Sequence, residues 1–83
     1  MSVVEKRERR LAEAVATLVE KIHQSFPGVS TRPIPPYEDE DFTLEVRIPV
    51  GMDREVVMNT CILHTLTIED TLGFEILTRV KRA

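Results

Sequence analysis

Apolar residues recur at steps of three and four over residues 4–25. Leu11, Val15, Leu18, Val19 and Ile22 line one side and lead on to Phe26, with Glu13, Thr17, Glu20, Lys21 and Gln24 between them. This spacing predicts an amphipathic helix with one buried stripe. Pro27 and Gly28 predict its end, because proline cannot continue the hydrogen-bond ladder and glycine accepts the left-handed cap conformation. The next segment, VSTRPIPPY at 29–37, carries three prolines, which limit it to a short edge strand over 29–32 followed by extended chain. Alternation takes over at 42–50. Phe42, Leu44, Val46, Ile48 and Val50 share one face, and Thr43, Glu45, Arg47 and Pro49 the other, as in a strand with one face in the core.

Gly51 then supplies a turn, and Asp53 is placed to cap a second helix over 53–72, with Glu55 in its first turn. Gly73 reads as the C-terminal cap and FEILTRV, 74–80, as the last strand. Two alternatives stay open within this stretch. Many β-branched residues lower helix propensity, which leaves a strand in play, and Thr67 with Asp70 can form a capping box that starts a separate short turn.

From 56 to 68, VVMNTCILHTLTI contains no Asp, Glu, Lys or Arg. At 100° per residue, Val57, Met58, Cys61, Ile62, Ile68 and Leu72 fill one arc, and Val56, Leu63 and Leu66 another. A helix apolar on two sides needs cover on two sides: the sheet, and either the first helix or another subunit. Val56, Val57, Cys61, Leu63 and Leu66 are therefore the candidate interface residues.

The order helix, edge strand, strand, helix, strand predicts a small two-layer α/β (α+β) domain with a mixed sheet of two or three strands. The strand–helix–strand unit favours parallel pairing. A sheet this narrow exposes its edges, and dimerisation would cover one of them. Eighty-three residues suit a single domain, 1–83, which buries only ~60–65% of its unfolded surface. A partner that adds buried area is the natural complement.

Composition removes several function classes. The 42% hydrophobic and 30% charged shares argue against disorder. A formal charge of -3 gives no electrostatic reason to expect a nucleic acid partner, and the basic clusters Lys6, Arg7, Arg9, Arg10 and Arg79, Lys81, Arg82 read as solvated faces. Cys61 is the only cysteine, so no intramolecular disulfide framework exists. The charged start is unlike a signal peptide, and no apolar run approaches the ~20 residues that span a bilayer. The expectation is a cytoplasmic protein without a membrane partner.

Candidate chemistry is sparse. Cys61 and His64 have metal-ligand spacing, but a structural zinc site needs four protein ligands and the chain offers only one further histidine, His23. A cysteine nucleophile would lack an orienting third group. GxGxxG, GxxxxGK[ST] and GxSxG are all absent. The acidic run Glu38, Asp39, Glu40, Asp41 remains, read either as a solvated turn segment or as a site for a divalent metal or basic partner.

The order of elements, the phrase SFPGV and the acidic approach to a strand resemble the minimal nucleotidyltransferase domain. In that family two carboxylates in an Asp-x-Asp pattern and a third on the last strand hold divalent metal. DFTLEV at 41–46 looks like the first of these strands and GFEIL at 73–77 like the last, so the resemblance implies metal-binding roles for Asp41 and Glu75 and magnesium as the cofactor. Thr43 stands where the second acid belongs, and the family's Gly-Ser phosphate turn has no counterpart in VSTRPIPPYED. The resemblance thus implies a degenerate relative. The residues themselves point to a cofactor-free, non-enzymatic binding or assembly module that pairs with itself. A second expectation is a subunit of a larger complex with another protein.

Overall fold

The structure, a computed structural model, describes residues 2–83. Five elements follow in order: helix α1 (Val3–Ser25), strand β1 (Ser30–Ile34), strand β2 (Phe42–Ile48), helix α2 (Arg54–Leu72) and strand β3 (Ile76–Arg82). The strands form one mixed sheet in the order β1-β2-β3, with β1 antiparallel and β3 parallel to the central β2. The small α+β architecture expected from the hydrophobic pattern is the one found.

Each boundary has a local cause. Ser2 caps α1 by accepting the N–H of Glu5, and the chain leaves the helix at Phe26, ahead of Pro27. The Asp53 carboxylate accepts the N–H groups of Glu55 and Val56 at the start of α2, and Gly73 ends it in the left-handed conformation at φ 78°. The helix runs unbroken through Thr67 and Asp70, so neither the strand alternative nor the separate turn occurs. Asp53 outcompetes the later capping box because it starts the helix early enough for the whole apolar stretch to propagate from it.

The strands differ from expectation at their ends. β1 extends through Pro33 to Ile34, which an edge position permits because proline lacks only a donor the outer side does not need. β2 stops at Ile48, since Pro49 removes the next donor, and Val50 is exposed. β3 begins at Ile76 rather than Phe74 and reaches Arg82.

Ala14, Leu18 and Ile22 of α1 and Val57, Cys61 and Ile68 of α2 pack into one core with Leu44, Val46, Ile48, Ile76 and Val80 of the sheet. Both helices therefore lie on one face of the sheet. The opposite face is uncovered by any helix among the described residues. The pairing register sets its side chains in three rows: Ile34, Thr43 and Leu77; Arg32, Glu45 and Arg79; Ser30, Arg47 and Lys81.

Candidate functional site

The acidic run at the start of β2 is the first place to look, and its four carboxylates separate into distinct roles. Glu40 is buried and folds back over its own loop, accepting the N–H groups of Tyr37 at 2.7 Å and Glu38 at 2.8 Å and the hydroxyl of Thr43 at 2.5 Å. Those donors, Thr43 foremost, hold its carboxyl down at about 2. Asp41 uses one oxygen to accept from the Arg7 guanidinium at 2.7 Å and the other to accept the Glu75 N–H at 2.8 Å. Arg7, and then the Glu75 amide, keep its carboxyl below the usual range. Arg7 also lies over the Phe74 ring, 5.3 Å from its centroid, so Asp41 ties the first turns of α1 to the sheet. Glu38 and Asp39 are exposed.

Asp41 and Glu75, the two acids implied as metal ligands, are neighbours: the Asp41 N–H also donates to the Glu75 carbonyl at 2.8 Å. Glu75 contributes only its backbone N–H and carbonyl to this link, not its carboxylate, and the Asp41 carboxylate oxygens are both engaged. No group of three or more His, Cys, Asp or Glu side chains suited to a metal ion occurs among the described residues. The donor set does not fit a two-metal phosphoryl-transfer centre, which needs several free hard oxygens.

Cys61 and His64 diverge despite their spacing. Cys61 is fully buried beside the Thr78 hydroxyl, and burial pushes its thiol up to about 11. His64 turns toward α1, 3.3 Å from Ser25 Oγ, and partial burial followed by the nearby Lys21 lowers its pKa.

The candidate interface on α2 splits as well. Val57 and Cys61 belong to the core against the sheet. Val56, Leu63 and Leu66 stand on the outer side with Ile62, Leu63 at 65% and Leu66 at 54% exposure. Ile62 belongs to this group rather than to the buried arc. Val56, Asn59, Leu63 and Leu66 are spaced three, four and three apart, the rhythm of a helix–helix seam with one polar position. Exposed acids frame it: Glu55 at one end, Glu69 and Asp70 at the other.

One arrangement is not evident from the periodicity of any single segment. Glu45, in the middle of β2, is only 1% exposed and lies on the uncovered sheet face. Three cations surround it: Arg32 through a short hydrogen bond, Arg47 at 3.2 Å and Lys81 at 3.5 Å. Arg32, opposed by burial and helped by Arg47, holds its carboxyl at about 2. The available signal was the alternation itself, which sets Arg32, Glu45, Arg47, Arg79 and Lys81 on polar faces of adjacent strands once their register is known.

Comparison with protein families, curated proteins and solved structures finds no match to this chain. Among the described residues no helix is long and apolar enough to cross a membrane.

Proposed function

We propose that the chain is a non-enzymatic assembly module that pairs with a second copy of itself through the outer face of α2. The supporting observation is the seam of Val56, Ile62, Leu63 and Leu66, four large apolar side chains exposed on a helix whose opposite side already fills the core. Such a contiguous apolar stripe bounded by charge is the usual mark of a protein contact. A second copy brings an identical uncharged stripe, so a two-fold axis across α2 meets no like charge at its centre. The asparagine at position 59 would sit inside that seam, where a polar residue selects register at some cost in stability.

Sedimentation equilibrium into the high-micromolar range tests this reading. A species of twice the 9.5 kDa chain mass supports it, and a chain that stays at 9.5 kDa throughout refutes it. Co-purification with an unrelated polypeptide, and no self-association of the isolated chain, would instead favour the subunit of a larger complex.

The alternative of a degenerate nucleotidyltransferase-like domain has one observation in its favour, the pair of hydrogen bonds that sets Asp41 beside Glu75. Calorimetry with magnesium and nucleoside triphosphates discriminates. Binding that is lost in Asp41→Ala would favour it over the assembly module.

A further inference from the structure

The uncovered sheet face concentrates positive charge in a chain that is acidic overall. Arg32, Arg47, Arg79 and Lys81 project from three adjacent strands around the carboxylate of Glu45, four cations against one anion within their two rows, while the buried carboxylate of Glu40 sits at Thr43 on the next row. Glu45 is buried beneath them and ionised, so it fixes the positions of Arg32, Arg47 and Lys81 while offsetting only one of their three charges. Arg79 takes a different partner: its guanidinium lies over the Tyr37 ring, 4.5 Å from the centroid. Tyr37 keeps 55% of its surface exposed. Beside Tyr37 is a hollow of about 350 Å³ lined by Arg32, Glu45 and Lys81 on its polar side and by Ile34, Pro35, Pro36 and Tyr37 on the other.

We infer that this face binds a single-stranded polynucleotide, with phosphates on Arg32, Arg47, Arg79 and Lys81 and a base stacked at Tyr37. Charge complementarity selects a polyanion and opposes a second copy, because two such faces would repel each other. The flat pair of Tyr37 and Arg79 selects a nucleic acid over an acidic peptide. A π-face and a guanidinium plane are stacking platforms for bases, whereas carboxylate side chains would engage only the cations. Arg79 and Lys81 stand two residues apart on β3, a rise of about 6.6 Å, close to the step between phosphates of an extended single strand. Tyr37 lies in the loop between β1 and β2 with the exposed acids Glu38 and Asp39 next to it, so the bound strand has one end at Tyr37 and runs from there over the two cationic rows, away from Glu38 and Asp39. The inference is independent of pairing through α2, which lies on the opposite side of the sheet.

Fluorescence anisotropy with labelled ~12-nucleotide RNA and DNA strands, the corresponding duplex and a poly-glutamate competitor tests the proposal. With four phosphates neutralised, the log–log salt slope is expected near −3, so raising salt from ~50 to ~200 mM weakens binding about 50-fold. The double substitution Arg79→Gln with Lys81→Gln leaves Arg32 and Arg47 on Glu45. It should weaken binding at least ~10-fold and reduce the slope by about 1.4. Arg9→Gln with Arg10→Gln makes the same charge change on α1 and should leave affinity within ~3-fold. Tyr37→Ala should erase the preference for single strands over duplex. Circular dichroism checks the fold of each variant. Should the double variant unfold, Arg79→Gln alone, which breaks no ion pair among the described residues, carries the test. The proposal is overturned by absence of binding at ~50 mM salt, by equal loss in the two double variants, or by poly-glutamate competing as well as the oligonucleotide.

Discussion

Leu66→Gln is the substitution that most directly probes the outer face of α2. Leu66 is 54% exposed in the isolated chain, and fully burying a leucine contributes about 1.5–3 kcal/mol. Covering that fraction is therefore worth about 0.8–1.6 kcal/mol per copy. A two-fold axis counts the residue twice, giving about 1.6–3.2 kcal/mol. At tenfold per 1.4 kcal/mol, dimer dissociation should rise about 15- to 200-fold. Glutamine is a good helix former, so the urea midpoint of the monomer should move by no more than about 0.5 kcal/mol equivalent. Sedimentation equilibrium across a wide concentration range reads the first quantity and urea denaturation the second. Leu18→Ala supplies the contrast: it empties a fully buried site, costs about 2–5 kcal/mol of fold stability, and leaves the seam intact. Salt gives an internal check, because Glu55, Glu69 and Asp70 at the seam ends repel their copies, and screening should tighten association. A Leu66→Gln variant that pairs as well as the original chain would refute the reasoning, whatever the dimer's affinity.

Three further outcomes follow from the fold. Gly73→Ala places a side chain at φ 78°, where the added Cβ meets no atom within 4 Å, so the cost is backbone strain alone, about 1 kcal/mol, and the melting temperature should fall by roughly 4–8 °C. Cys61, buried and with its thiol pushed up to about 11, should react with a thiol reagent only as fast as the chain opens, and mild urea should accelerate it. Glu40 and Glu45 have folded values near 2, below their ordinary 4.5. The stability they confer is complete above pH 4.5 and disappears as pH falls towards 2; a urea midpoint flat across that window would contradict the assignment.

Local punctuation was the most legible part of the sequence. Pro27 ends α1, Asp53 and Gly73 bracket α2, and alternation over Phe42 to Ile48 marks the central strand, because each depends on neighbours a few residues away. The division of α2 was less legible. Periodicity separates its faces but does not say which one meets the sheet, so Val57 and Cys61 could be grouped with Leu63 and Leu66 until packing distinguished them. Long-range polar contacts were the least legible. Arg7 reaches Asp41 across 34 positions, and the cations around Glu45 come from three strands whose register the sequence does not state. The C-terminal basic cluster likewise divides only in three dimensions: Arg79 and Lys81 join the open face, while Arg82 donates to the Met52 carbonyl at the end of the sheet.

Position 43 shows how the acidic entrance to β2 departs from an Asp-x-Asp pattern. Thr43 is fully buried, and its hydroxyl donates to Glu40, the carboxylate that also gathers the Tyr37 and Glu38 amides. An aspartate there would complete an Asp-x-Asp pattern with Asp41, yet it would replace a donor with an acceptor-only group against an acceptor already in place. The residue that breaks the pattern is the one the loop needs, and that loop is what sets Tyr37 against Arg79. Thr43→Asp is therefore expected to lower the urea midpoint, to raise the Glu40 carboxyl toward its ordinary value through like-charge repulsion, and to release Tyr37 from Arg79. Carboxyl titration by NMR follows Glu40, and tyrosine fluorescence follows the stack. Magnesium should restore none of these, because Asp41 stays engaged by Arg7 and the Glu75 amide. A magnesium-dependent rise in the melting temperature of Thr43→Asp would show instead that Arg7 gives way, and that one substitution separates this entrance from a working cation site.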